Sequence, residues 1–410
     1  MTEVRPFRAI RPVPEMAGRV ASPPYDVMSA VEARRMAENE SLSFLHVIRP
    51  EIDLHVDVDV HSDPVYARGK QNLDRLLTEG VLVREKTPCF YVYEQKRQGH
   101  VQAGLVAGAS ISEYEKGLIK KHEHTRPDKV KDRARHIEVL GAQAGPVFLA
   151  IRHNAAVIEV LEKFRTGRSL FRFSAGDGVD HAVWKVGASD DVRLIQDVFR
   201  KIPAMYIADG HHRSEAACEV SNRLKKRTVR RDREADFFLS VIFPASSLCI
   251  MAYNRIISDL NGLDSAGFLR KLEKSFLIDQ TFEPEPDAAH SFGLFLEGRW
   301  HRLTAKEGIY PVDDPVKSLD VSILQETVLG PVLGIEDPRT DPRIDFVGGI
   351  RGTEELENRC RQDNCIAFAL YPTDIDQLLD VADAGLVMSP KSTWFEPKLR
   401  SGLFVRSLED

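Results

Sequence analysis

A chain of 410 residues is too long for one ordinary core, so two compact units are expected, side by side or with one interrupting the other. Hydrophobic and charged shares of 43% and 29% describe a soluble globular protein, and the lack of any bilayer-length apolar run excludes a membrane role. A formal net charge of -6 argues against a surface built broadly for nucleic acid, while leaving room for a local basic patch.

The start, "MTEVRPFRAIRPVPEM", has no apolar centre before a small-residue cleavage site, so it does not read as a secretory signal and a cytoplasmic protein is expected. The five cysteines include no C-x-x-C pair, the pattern of reduced, mostly buried thiols. Pro23 and Pro24 make a stiff turn that presents Tyr25 and Asp26. Ser29 with Glu32 three residues on predicts a capped helix start. "SLSFLHVIRPEIDL" reads as a strand and loop, and "VYARGKQNLDRLLTEGVLVRE" as an amphipathic helix ending near Gly80. Two β-prone runs around Gln98 and Gly99 predict a hairpin.

A charge-dense loop and helix follow, from Lys120 and Lys121 through "HEHT" to Arg126, Lys129, Lys131, Arg133 and Arg135, leading into a strand at "PVFLAI". Such charge surrounds a phosphorylated ligand or simply solvates a helix. "FFLSVIFP" is a buried strand, and Ser258 to Leu263 looks like a boundary. Beyond it come a second hairpin at "SFGLFLEGRWHRLTA", helices near Ile323 and Leu378, and strands at "CIAFALY" and "GLFVRSL". Mixed hairpins and helices predict an α+β fold, divided into residues 1–260 with an inserted hairpin and helices, and a C-terminal α+β region, 261–410, that contributes loops to the site.

The chemistry concentrates in "YIADGHHRSEAA". An apolar strand runs into a helix whose face carries Ala216, Ala217, Val220 and Leu224, so Asp209 and Gly210 fall at the turn between them. A helix start has unpaired N–H groups and a positive dipole end, which suits an anion. Gly210 removes the side chain that would hold the anion away, Arg213 adds a forked donor, and His211 and His212 donate to phosphate or handle protons. Asp209 is a candidate base, or else an ordinary helix cap.

Adjacent histidines point apart, and "HEHT" lacks H-E-x-x-H spacing, so no residue is assigned as a metal ligand; His122 and His124 would face the same way if extended. The basic run Arg223 to Glu234 reads as a solvated helix end. In the C-terminal loop, Lys391, Ser392, Thr393, Lys398 and Arg400 are candidates for ligand contact, with Lys391 and Ser392 assigned to the nucleotide. The absence of a G-x-x-x-x-G-K-[ST] loop, kinase motifs, a G-x-S-x-G elbow and a dinucleotide fingerprint sets aside the common NTPase, hydrolase and dehydrogenase readings.

"DGHHR" with its helix resembles the ParB/sulfiredoxin-like superfamily, whose members hold nucleotide phosphate on a related strand-turn-helix segment. "RPFRAIRPVP", "SPPYDV", "FLHVIRPEIDL", "HEHT", "LDVSILQETVLGPVLGI", "GGIRGTEELE" and "PKSTWFEPKLRSGL" extend a resemblance to a bacterial and archaeal family labelled SpoOJ/ParA/ParB/repB family protein across nearly the whole chain. It implies a ParB/sulfiredoxin-like core with large insertions. The motif also resembles that of free-serine kinases, which implies phosphoryl transfer from ATP or ADP with Mg2+ to the hydroxyl of a small metabolite such as serine. Gly210, His211, His212 and Arg213 would then hold phosphate, with Asp26 or Glu123 accepting the proton. The competing classes are a nucleotide or metabolite sensor and a DNA-partition protein, the latter without a helix-turn-helix or basic face in this acidic chain. The oligomeric state is left open.

Overall fold

The computed structural model describes residues 2–227, 233–280, 283–363 and 365–409. It is α+β, as the mixture of hairpins and helices predicts, and consists of two compact units: residues 1–248 with 397–410, and residues 249–396. Residues 228–232 of the basic run lie outside the described residues. No helix among the described residues is long and apolar enough to cross a membrane.

The first unit is built on a nine-stranded sheet. Its strands are β1 (Val4–Arg5), β2 (Phe90–Arg97), β3 (His100–Ser110), β4 (Ile119–Lys120), β5 (Val147–Ile151), β6 (Phe171–Ser174), β7 (Asp180–Val186), β8 (Met205–Asp209) and β9 (Phe237–Pro244). In space the order is β4, β8, β5, β9, β3, β2, β7, β6, with β1 pairing to β3. Only β4 with β8 and β5 with β9 run parallel. The expected hairpin is β2 and β3, closed at Gln98 and Gly99, both at positive φ (47° and 85°), the geometry that matches the strands' twist. β3 packs so closely on β9 that a Cβ at Gly104 would stand 2.9 Å from both the Ile242 carbonyl oxygen and the Phe243 ring.

Helices α1 (Ala30–Ala37), α2 (Asp63–Thr78), α3 (Pro127–Leu140), α4 (Ala155–Arg165), α5 (Ser189–Phe199) and α6 (His211–Arg227) surround the sheet. α6 buries Ala216, Ala217 and Val220, and Leu224 is partly buried, which is the face the spacing predicts. α3 adds Val130, Ala134 and Ile137 to the same core, together with Leu105, Leu149, Ile207 and Ile242 from the sheet. Each fully buried large apolar side chain contributes about 1.5–3 kcal/mol, so the α3, α6 and sheet contacts hold the turn between β8 and α6 rigidly.

One segment departs from expectation. "SLSFLHVIRPEIDL" is not a strand but a short helix, Leu45–Ile48, followed by a 3-10 turn, Pro50–Asp53. Phe44, Leu45, Val47 and Ile48 are all buried in a second core with Leu73 and Leu76 of α2, and that all-round burial overrides the β-preference of the local sequence. Asn72 of α2 clasps the segment, donating to the His46 carbonyl at 2.7 Å.

The second unit carries a six-stranded antiparallel sheet ordered Phe276–Asp279, Arg299–Ala305, Ser291–Leu296, Ile366–Leu370, Tyr253–Ile257, Ile344–Gly348. The expected hairpin at 291–305 is present, as are helices Asp320–Leu324 and Ile375–Asp383. Cys249–Met251 pairs with Trp394–Glu396, so this unit starts and ends on one antiparallel ribbon.

The capping box at Ser29 forms as read: its Oγ accepts from Glu32 N at 3.2 Å, and Glu32 Oε2 accepts from Ser29 N at 2.8 Å. Ser29→Ala should weaken the start of α1 by about 1 kcal/mol. Hydrogen exchange of the α1 amides is expected to rise roughly fivefold while β3 is unchanged; unchanged exchange in α1 would contradict the capping assignment.

Candidate functional site

β8 and α6 meet where the sequence analysis expects. Pairing of β8 with β5 shifts register between Ile207 and Asp209, a bulge that turns the end of the strand, and Gly210 follows at φ 102°. The first bond of α6 runs from Ser214 N–H to Gly210 C=O, at 3.0 Å. The N–H groups of His211, His212 and Arg213 therefore precede any intrahelical acceptor, which makes this helix start a favourable place for an anion.

Arg213 takes a different position from the one expected. Its guanidinium folds back over the turn, so that a Cβ on Gly210 would lie 3.1 Å from Nε and 3.2 Å from Cζ. The space freed by the glycine thus accommodates Arg213 rather than standing open for a ligand. Nη1 donates to the Pro146 carbonyl, Nη2 donates to Asp209 Oδ1 at 3.1 Å, and Asp26 Oδ2 stands 3.9 Å from Nη2. Nε, buried, has no hydrogen-bond partner. Burial works against this cation, but Asp26 and Asp209 outweigh it and leave the group more basic than an ordinary arginine.

Asp209 does not cap α6. Its Oδ2 accepts from Lys398 Nζ at 2.8 Å. Burial pushes the carboxyl up, but Lys398 and Arg213 more than reverse that and hold it well below the usual carboxylate range. Lys398 is in place because residues 397–410 return to the first unit. Gln95 donates to the Lys398 carbonyl at 2.9 Å, and Arg400 donates to His181 Nε2 at 3.3 Å while pairing with Asp177. Nothing in the sequence ties positions 189 residues apart, so only the general basicity of that loop pointed to Lys398.

The "HEHT" loop lies against the other side of the helix start. His211 is buried, its Nδ1 3.9 Å from Glu123 Oε2, and its ring stands edge-on to His122 at 4.5 Å between centroids. His212 Nε2 accepts from Arg126 N–H at 3.0 Å. His122 and His124 do not face the same way: the segment is an irregular loop in which His122 is buried and His124 exposed. Burial, then the neighbouring His122, pushes the His211 imidazole far below its ordinary value, and burial takes His122 down to about 4. His122, which the sequence paired with His124 and gave no role, is thus the partner that "HEHT" brings to His211.

Much of the basic charge in this region is paired locally, in Arg126 with Asp128, Arg135 with Asp63 and Lys121 with Glu215, which fits a solvated surface. Arg133 is paired as well, with Asp132 at 2.6 Å, and its guanidinium also lies 4.2 Å over the Tyr25 ring. A cavity beside Arg213 is lined by Pro24, Tyr25, Arg133, His136 and Gly145. Lys391 and Ser392 have their places in the second unit. The Lys391 ammonium sits 5.4 Å over the Tyr253 ring, and the buried Ser392 hydroxyl donates to the Ser389 carbonyl at 2.5 Å.

Two consequences of burial are measurable. Lys398→Met leaves Asp209 with only Arg213 to oppose its burial, so stability should fall by about 3 kcal/mol at neutral pH. The depressed Asp209 pKa contributes stability that is complete above the unfolded value and lost as pH falls through the folded one. In the variant the Asp209 carboxyl is less depressed, so less stability is lost on acidification and the deficit against the unaltered chain should shrink as pH falls; a deficit independent of pH would contradict the pairing.

Separately, burial holds His122 and His136 down at about 4 and His181 at about 3. The unfolded chain takes up those protons near pH 6.5, so stability is complete above about 6.5 and should fall toward pH 4 by about 1.4 kcal/mol per histidine per pH unit. Denaturant titrations between pH 7 and 5 check this, and a flat profile would contradict it.

Among solved structures, a free serine kinase in complex with AMP aligns at TM-score 0.36 and 13% identity, over 73% of this chain and 91% of that one. SbnI with a C-terminal truncation, from Staphylococcus aureus, aligns at 0.38 and 11%, over 73% and 87%. A conserved hypothetical protein from Pyrococcus furiosus aligns at 0.35 and 13%, over 74% and 95%. Likenesses at this level carry no argument about chemistry, which has to come from the chain's own side chains. No curated protein matches the sequence significantly. The SpoOJ/ParA/ParB/repB assignment is overturned by the family model that does match, described as protein of unknown function (DUF1015), over residues 4–322. A strand, a glycine and a helix start are a local anion-binding device, and a shared device does not define a family. With most of its length matched, the chain belongs to the DUF1015 family.

Proposed function

We propose that the chain binds ATP or ADP with Mg2+ at the start of α6 and transfers a phosphoryl group to the hydroxyl of a small metabolite, serine being the first acceptor to test. The observation that carries this reading is the unpartnered, buried Nε of Arg213 at the start of α6, next to a cavity that Arg133 also lines. Buried donors of this kind are costly unless an acceptor meets them, and phosphate oxygens suit them.

In this reading the helix N–H groups and Arg213 Nε stabilise the oxygens of the transferring group, and Mg2+ arriving with the nucleotide would supply charge neutralisation. Asp26, on the stiff Pro23–Pro24 turn and 3.9 Å from Arg213 Nη2, accepts the proton of the attacking hydroxyl. An O–P bond forms to the acceptor, the bridging P–O bond breaks, and the shortened nucleotide leaves. Glu123 is a second carboxylate at the site, with its side chain 37% exposed.

Purified protein is incubated with Mg2+, ATP or ADP and a panel of hydroxyl metabolites, and the acceptors are followed by mass spectrometry. A phosphorylated acceptor supports the proposal. Asp26→Asn should lower its formation about 10²–10⁴-fold with nucleotide affinity unchanged, and Arg213→Ala should weaken nucleotide binding. Saturable nucleotide binding with no phosphorylated acceptor would leave a sensor in place of a transferase, and unchanged nucleotide affinity in Arg213→Ala would remove the site.

A further inference from the structure

His122, Glu123 and His211 come together as no spacing in the sequence announces. One nitrogen of each imidazole and one carboxylate oxygen lie within 4.8 Å of one another. Both imidazoles are buried, at 3% and 4% exposure, and the rings meet edge to face. His122 Nδ1 is buried and has no hydrogen-bond partner, and His211 Nε2 accepts a long bond from the His122 backbone N–H, at 3.5 Å. Two imidazoles packed together away from water, one with an orphaned ring nitrogen, and a carboxylate beside them make a site short of one positive centre. A packing role for these histidines would call for a hydrogen-bond acceptor or donor at His122 Nδ1.

We infer that His122, Glu123 and His211 form a binding site for a divalent transition-metal cation such as Zn2+, with further coordination positions left for water or another oxygen ligand. Two neutral imidazoles and one carboxylate are the donor set of open zinc sites, and imidazole favours zinc, cobalt, nickel or iron over magnesium. Bonds from zinc to such ligands are about 2.0–2.2 Å, which puts two tetrahedral ligands about 3.4 Å apart. The 3.9 Å from His211 Nδ1 to Glu123 Oε2 is only about half an ångström longer than that. Lys121, the neighbouring lysine in sequence, is paired with Glu215 at 3.0 Å. The two histidines come from separate elements, the loop before α3 and the first residue of α6, so a bound cation would fasten that loop to the helix start.

The cation site is argued from these three side chains alone; that a phosphate oxygen takes an open position rests on the proposed function. The test uses the full chain stripped with chelator and titrated with Co2+, followed by the visible absorption of the cobalt and by calorimetry. One equivalent should bind, displaced by Zn2+ and not by excess Mg2+. Glu123→Gln and His122→Asn should each weaken Co2+ binding about tenfold or more. Because Glu123 is partly exposed, its variant keeps the test readable if His122→Asn fails to fold. No stoichiometric binding, undiminished binding in Glu123→Gln, or displacement by Mg2+ would each overturn the site. In the unaltered chain, cobalt bound without any phosphorylated acceptor would remove the transfer reading and leave the metal site standing.

Discussion

A carboxylate can be buried only where cations meet it, and at the end of β8 two do. Asp209 stands between Lys398 and Arg213 and pairs with both. This three-group cluster joins the turn at the heart of the site to the returning segment 397–410 and, through Arg213, to the Pro146 carbonyl ahead of β5. Arg213 is thereby pinned in one orientation, with its two terminal nitrogens occupied and Nε left over. Preorganisation of this sort lets a donor meet a ligand without first giving up rotamer freedom.

The same turn divides its surroundings into two faces. On one, Asp26, Tyr25 and Arg133 gather by the guanidinium of Arg213 and the adjoining cavity. On the other, the loop ahead of α3 brings His122 and Glu123 to His211. Consecutive residues at the start of a helix point about 100° apart, so His211 and Arg213 serve different neighbours although both belong to one five-residue stretch. A guanidinium face and an imidazole and carboxylate face around a single helix start place unlike groups close together.

Local physics was readable directly. The Ser29 and Glu32 capping box, the hairpin at Gln98 and Gly99, the break between β8 and α6 and the apolar face of α6 each follow from neighbours a few residues apart, and each is present. "SLSFLHVIRPEIDL" misled because its apolar residues are buried on several sides, which erases the periodicity that separates helix from strand. Gly210 was expected to leave room for an anion, whereas a Cβ there would meet Arg213, because local sequence does not reveal that the Arg213 side chain folds back over it. The family resemblance failed for a related reason: a short phosphate-seating device recurs wherever a strand, a glycine and a helix start meet.

What the sequence determined by itself was therefore the α+β class, the caps and turns, and the chemical character of the Asp209–Arg213 stretch. All of these depend on interactions within one or two turns of the chain. Tertiary structure alone decided that Lys398 would neutralise Asp209, that Arg213 would be held by Pro146, and that His122 would meet His211. Those partners lie far apart along the chain and are chosen by how the sheet orders its strands and where the last segment returns. Burial then sets their charge states, because the energy of a charge depends on which groups surround it and not on its place in the sequence.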